Sequence, residues 1–230
     1  MTERAEDQDA ERLAWLAFLP VAATLLYYVL PTGLQHRVML QFLPQALAYL
    51  GLAIWAKHNH GIVTRLGLDP PRFRQGLGWG LTTGLTLGSL NASVILWIVP
   101  WLGGDITFLR ETPHARMPTF LMLPWAIVFI AVFVEVNFRG FLLGRLTALF
   151  RSSPGLSFGA GSAMAVAGSS LAFSFDPFMV ATFKHLHWIA VWDGMVWGIL
   201  WLRLRNLYAT IVAHTVEVVI MYSVLKATLE

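Results

Sequence analysis

Apolar residues gather into long runs along this chain, separated by short polar or proline-bearing breaks. Seven such stretches stand out, at roughly 13–30, 38–56, 77–101, 118–137, 157–175, 188–204 and 207–226. Each is near the ~20 residues that a helix needs to cross a bilayer. The pattern predicts seven spanning helices. The stretch 157–175 is rich in Gly, Ala and Ser, which suits close helix packing better than lipid contact. Phe178 to His187 reads as a further short or re-entrant helix, which makes room for an eighth element. Asp69-Pro70-Pro71-Arg72 breaks the chain between the second and third stretches and predicts an interfacial turn. The expected fold class is all-α, a polytopic transmembrane bundle of seven to eight helices. A tail at 1–12 precedes a single membrane domain at 13–230.

Composition agrees. Of the 230 residues, 57% are hydrophobic and 13% charged, against roughly half and a quarter in soluble domains. Mean hydropathy is +0.62. Cysteine is absent, which excludes a disulfide framework, a thiolate metal site and a cysteine nucleophile. The net charge of +3 is loop charge that orients the chain and not a nucleic-acid footprint. The start, MTERAEDQDAER, carries both signs and lacks the basic n-region and small-residue cleavage site of a signal peptide. The first apolar stretch is therefore expected to be retained.

With the N-terminus inside, the inner segments hold Arg4, Arg12, Lys57, Arg65, Arg72, Arg74, Arg139, Arg145, Arg151, Arg203 and Arg205. The outer ones hold Arg37, Arg110, Arg116, Lys184 and Lys226. That is 11 against 5, and the larger set belongs in the cytoplasm. The N-terminus is expected to be cytoplasmic and, with seven spans, the C-terminus outside.

Three of the thirteen acids lie inside apolar stretches: Glu135, Asp193 and Glu217. A buried carboxylate is costly, so these are the candidates for chemistry. Five other acids lie in the tail, Glu230 is the last residue, Asp69, Asp105 and Glu111 are in loops, and Asp176 precedes Pro177 at a helix end. His36, His58, His60 and His114 are expected in solvated loops, whereas His185, His187 and His214 share the second half with the buried acids. Glu135 and Arg139 are one helical turn apart and can pair. His214 and Glu217, three apart, share a helix face. Such a set suits water activation, with a carboxylate taking the proton and imidazoles binding the oxyanion. It also suits a divalent metal or a proton relay, although no HExxH helix is present. Each residue has a plainer reading too. Glu135 and Arg139 would form a structural pair, His185 and His187 interfacial anchors, and Asp193 a helix cap. Trp188, Trp192, Trp197 and Trp201 recur at helix-like spacing and are read as packing or interface surface. Asn91 to Ser93 fits a glycosylation sequon but falls within a predicted span, so it is discounted.

Glu135 to Leu142, EVNFRGFL, resembles the EExxFRGFL-type motif of the CAAX protease and bacteriocin-processing family (CPBP, also called Abi), a family of glutamic-type intramembrane proteases. RLGLDPPRFR at Arg65 to Arg74 is similar to the LGLRRP-like turn that precedes that family's core. SSLAFSF at Ser169 to Phe175 resembles the opening of its FxxxH motif. GILWLRLRNLYATIVAH at Gly198 to His214 resembles the stretch leading to its HxxxN motif. The likeness covers roughly residues 60–225 and implies a protease-like core at about 118–226. The family's first glutamate falls on Val134, its second-motif histidine on Pro177 and its third-motif asparagine on Val218. Glu217 lies beside the lost asparagine and His187 downstream of the lost histidine, so a rebuilt site and a pseudoenzyme are both open.

The resemblance implies a membrane endopeptidase, with Glu135, Arg139, His187, His214 and Glu217 as site residues. Glu135 activates water, or holds Arg139 while Glu217 does so. His214, with His187, stabilises the oxyanion. No metal or organic cofactor is implied. The implied partners are the lipid bilayer and a membrane-associated peptide or processed tail, with no nucleic acid, and the implied location is a bacterial inner (cell) membrane. An accessory protein that binds a hydrophobic or lipidated partner without hydrolysis is the alternative. A small proton-coupled transporter comes third.

Overall fold

The structure is a computed structural model that describes residues 11–151, 153 and 155–229. Met1 to Ala10, which is most of the expected tail with Arg4, and Glu230 lie outside the described residues. No strand occurs among the described residues. The all-α expectation is met, and the chain is an integral membrane protein.

Helix α1, Phe18–Tyr28, is followed by single turns and α2, Leu43–His58. Asp69-Pro70-Pro71-Arg72 forms the expected break as a 3-10 turn at Pro70–Arg72, and α3, Phe73–Ser93, follows. Then come α4, Ile127–Glu135, α5, Gly144–Arg151, α6, Phe158–Ser174, α7, Pro177–Phe183, α8, Ile189–Leu204, and α9, Leu207–Leu229. The α7 helix is the short element expected near Phe178 to His187. It bends away from α6 by 54°, because Pro177 cannot continue α6 and Asp176 caps the new start, accepting from Phe178 N–H at 3.1 Å.

Among the described residues, three helices are long and apolar enough to cross a membrane: Ile62–Trp101, Thr119–Arg151 and Leu207–Leu229. The bent pair Phe158–Ser174 and Pro177–Leu186 adds a fourth if it counts as one span. The other stretches read from sequence are shorter as helices, with 11, 16 and 16 residues in α1, α2 and α8. The fourth stretch does not end near residue 137. It runs on to Arg151 as one helix, because the charges of Glu135 and Arg139 are paired inside the protein and no longer oblige the helix to stop.

Widened π turns interrupt this long helix and α3. Pro124 lies inside the one at Met122–Ala126, and Pro100 follows the one at Val94–Ile98. A missing N–H disturbs the helical ladder at both places. The turn at Val136–Leu143 contains no proline. It coincides with the FRGFL motif, as π turns often do at functional positions.

The closest packing joins α3 to α9. Gly76, Gly80, Gly84 and Gly88 form one face of α3 against α9. A Cβ on Gly84 would stand 2.6 Å from the Ala213 carbonyl oxygen, and one on Gly88 would stand 3.1 Å from Glu217 Cα. Only hydrogen at these positions lets the two backbones meet. The approach seats Asn91, one turn beyond Gly88, directly against Glu217.

Contacts between chain segments define two ends of the described bundle. At the end where α9 begins, Arg65 and Arg145 flank Glu11, Arg72 reaches the Leu204 carbonyl, and Arg205 lies over Trp201. Arg12, Lys57, Arg74, Arg151 and Arg203 lie on the chain segments at this same end. At the end where α9 finishes, Lys184 lies over Phe108 and Lys226 over Tyr222. Arg37, Arg110 and Arg116 are in the loops there.

Candidate active site

Glu135 ends α4 and is 0% exposed. Its Oε1 accepts from Arg139 Nη1 at 3.2 Å and meets His214 Nδ1 of α9 at 3.0 Å. Thr210, one turn earlier on α9, is fully buried and donates to the Leu207 carbonyl at 3.1 Å. The Arg139 guanidinium lies under the rings of Phe173 and Trp197, 4.7 and 4.8 Å from their centroids, where a desolvated cation gains from the ring faces. Trp197 also stacks on His214, with centroids 4.5 Å apart and planes at 21°. His214 is thus fixed by Glu135 at one nitrogen and by Trp197 at its face. Among the described residues, Glu135 Oε2 and Arg139 Nε and Nη2 have no hydrogen-bond partner.

A second polar cluster lies a turn further along α9. The Asn91 amide donates to both oxygens of Asp193, at 3.0 and 3.1 Å, and to Glu217 Oε1 at 2.7 Å. The Asn91 carbonyl oxygen accepts from Trp192 Nε1 at 2.9 Å. The one Asn91 amide thus draws the two carboxyls together. Asp193 therefore does not cap a helix. It sits within α8 and faces inward, because Gly194 beside it packs on Ser170 of α6, with room there for no Cβ.

Both clusters border one cavity of about 480 Å³. His214, Glu217 and Asp193 lie on its wall, with Phe138, Phe173 and Trp197 at the inner end. Met122, Ile189, Met221 and Leu225 form apolar flanks, and Arg110, His114, His187 and Lys226 also line it. Glu135 and Arg139 stand behind His214 and are not part of the lining. Val134 and Val218, where the resembling motifs carry glutamate and asparagine, do line the cavity. The end of α4 and the α9 face therefore present valine to the cavity, while α4 turns Glu135 into the protein.

Of the residues singled out from sequence, Glu135, Arg139 and His214 are brought into direct contact. Glu217 shares the cavity wall with His214. His187 lines the same cavity, but its Nδ1 turns to the Lys184 carbonyl and its ring packs edge-on against Phe175 at 5.2 Å. Trp197 and Trp201 are core, at 2% and 1% exposed. His114 corrects the expectation of a solvated loop histidine. The loop folds back so that its ring stacks on Phe183 at 5.9 Å, and burial, with the nearby His214, pushes its pKa below the usual value. Asn91 was set aside because its sequon lies in a span. A polar amide inside an apolar stretch, three residues after the last of a run of glycines at spacing four, was the signal that could have found it.

Residues 116–220 match the family model of the Type II CAAX prenyl endopeptidase Rce1-like family. The resemblance read from the motifs is borne out over this span, which holds Glu135, Arg139, His187, Asp193, His214 and Glu217. The family is one of proteases, which supports a peptidase at the coarse level. No curated protein and no solved structure matches the chain.

Proposed function

We propose that this protein is an intramembrane endopeptidase that hydrolyses a membrane-associated or processed peptide, with Glu217 as the base that activates water. The observation that carries this reading is the convergence of His214, Glu217 and Asp193 on the wall of one largely apolar cavity. The Asn91 amide holds Glu217 at the wall beside Asp193. Water drawn from the cavity to the Glu217 carboxylate loses a proton to it as it attacks the peptide carbonyl; when the tetrahedral intermediate collapses the C–N bond breaks, and that proton passes to the leaving amine. The developing oxyanion is met by His214, whose Nδ1 is engaged by Glu135 and whose other ring nitrogen is left for the substrate. His187 supplies a second polar group to the same cavity. Arg139 is a positioning residue, since it balances Glu135, which in turn orients His214. This route uses side chains alone, with no metal or organic cofactor. The family name points to a prenylated or otherwise lipid-bearing tail as a substrate to try first.

The test is cleavage by the purified protein in lipid vesicles, with a prenylated peptide and an unmodified membrane-anchored peptide, products read by mass spectrometry. Product formation that disappears in Glu217→Gln and in His214→Ala, both folded, is the expected result. Cleavage that survives in both folded variants refutes the assignment.

One observation favours a second reading. Val134 and Val218 put apolar side chains on the cavity wall where the motifs carry polar ones. A protein that holds a hydrophobic or lipidated partner without hydrolysing it would show retention of the prenylated peptide, no product, and unchanged retention in Glu217→Gln.

A further inference from the structure

We infer that the cavity opens on the face of the membrane opposite the cytoplasm, so that the substrate is a translocated peptide segment or a peptide tethered to that outer leaflet. The inference rests on the peptidase reading for the word substrate; the sidedness of the cavity stands by itself.

The argument combines where the cavity lies with where the cations lie. His214 is seven residues into α9, about 10 Å from its start at roughly 1.5 Å per residue. From His214 the lining follows α9 through Glu217, Met221 and Leu225 to Leu229, a further ~22 Å by the same rise. The cavity is therefore floored near the middle of the bundle and extends toward the end where α9 finishes. Its cationic lining residues, Arg110 and Lys226, are both at that end. No described residue of the opposite end, where Arg65 and Arg145 flank Glu11, contributes to the lining.

The closed end carries nine of the described Lys and Arg residues and the open end five, with Arg139 buried between them. Juxtamembrane Lys and Arg gather on the cytoplasmic side. The cation-rich end is therefore the cytoplasmic one, and it is sealed by packing. Trp201 donates to the Leu66 carbonyl at 3.2 Å, and Leu207 N–H to the Gly67 carbonyl at 2.7 Å. A peptide arriving from the cytoplasm would meet this closed surface. One arriving from the other face would meet the loop with Arg110 and His114, and then the apolar flanks leading down to Glu217 and His214.

The chain has no cysteine, so single cysteines can be introduced without removing any. Three variants suffice: His60→Cys at the closed end, Glu111→Cys in the loop at the open end, and Leu225→Cys inside the cavity. Intact cells would be treated with a membrane-impermeant maleimide. Labelling of Glu111→Cys and Leu225→Cys in intact cells, with His60→Cys labelled only after permeabilisation, is the expected pattern. Labelling of His60→Cys in intact cells, or of Leu225→Cys only after permeabilisation, overturns the inference. The labelling does not depend on hydrolysis. A protein that labels as expected but cleaves no peptide added to either side of oriented vesicles fails as a peptidase while its sidedness stands.

Discussion

Removing the Glu135 carboxylate should be among the most damaging single changes this fold can suffer. Glu135 and Arg139 are both fully buried, with Oε1 and Nη1 3.2 Å apart. At that separation, and with an effective dielectric constant near 20, the attraction is about 5 kcal/mol. Glu135→Ala strands the guanidinium, whose Nε and Nη2 already lack partners, and takes the anchor from His214. Breaking a buried pair from one side costs about 3–5 kcal/mol, a large share of the ~5–15 kcal/mol that holds a typical domain. Replacing both members should be far milder, because no charge is left unpaired. Glu135→Gln with Arg139→Met is expected within about 2 kcal/mol of the parent. Denaturation in mixed micelles, followed by tryptophan fluorescence, measures both, and Trp197 against His214 gives a local signal. A loss under about 1 kcal/mol for Glu135→Ala, or a double variant as unstable as the single one, would show that the pair does not anchor the site.

Gly84→Ala adds a Cβ 2.6 Å from the Ala213 oxygen and 2.7 Å from Val216 Cβ, against the ~3.5–4.0 Å of ordinary carbon contacts. The helices must part by most of an ångström, with an expected cost of about 1–3 kcal/mol, read in the same denaturation assay, and a loss of cleavage larger than the loss of folded protein. Asn91→Ala removes the donor shared by Asp193 and Glu217 and should cost about 1–3 kcal/mol; Asn91→Asp, which brings a third carboxyl to the pair, should be worse in the same measurement. His114 supplies a pH prediction. Burial holds its pKa below the usual value, so above a pH of about 6.5 both folded and unfolded forms are neutral and it contributes no pH dependence. As pH falls through that value, the unfolded chain takes up a proton that the folded one resists, and stability declines toward the folded pKa. His114→Phe, which keeps a ring against Phe183, should flatten this acid limb in thermal melts recorded between about pH 5 and 8.

The sequence by itself determined the medium and the fold class. Runs of apolar residues, few charges and no cysteine leave a helical membrane bundle, because a backbone in lipid must satisfy its hydrogen bonds within helices. It also picked out Glu135, Asp193 and Glu217, since a carboxylate inside an apolar stretch is costly wherever it ends up, but not the equally buried Asp176, and helical spacing tied Glu135 to Arg139 and His214 to Glu217. The FRGFL stretch carried the family resemblance. What spacing cannot report is which residues from different helices meet. Asn91 is 102 residues from Asp193 and 126 from Glu217, and only the glycine face of α3 on α9 brings them together. Glu135 and Val134 are neighbours in the chain, and spacing alone does not report which of them faces the cavity. The orientation of α4 in the bundle gave the cavity to valine and the protein interior to glutamate. His114 looked like a loop residue until the loop folded over the cavity. Local pattern follows from residues within a turn or two of each other, whereas the site was decided by long-range packing, where the absence of one Cβ sets the distance between two helices.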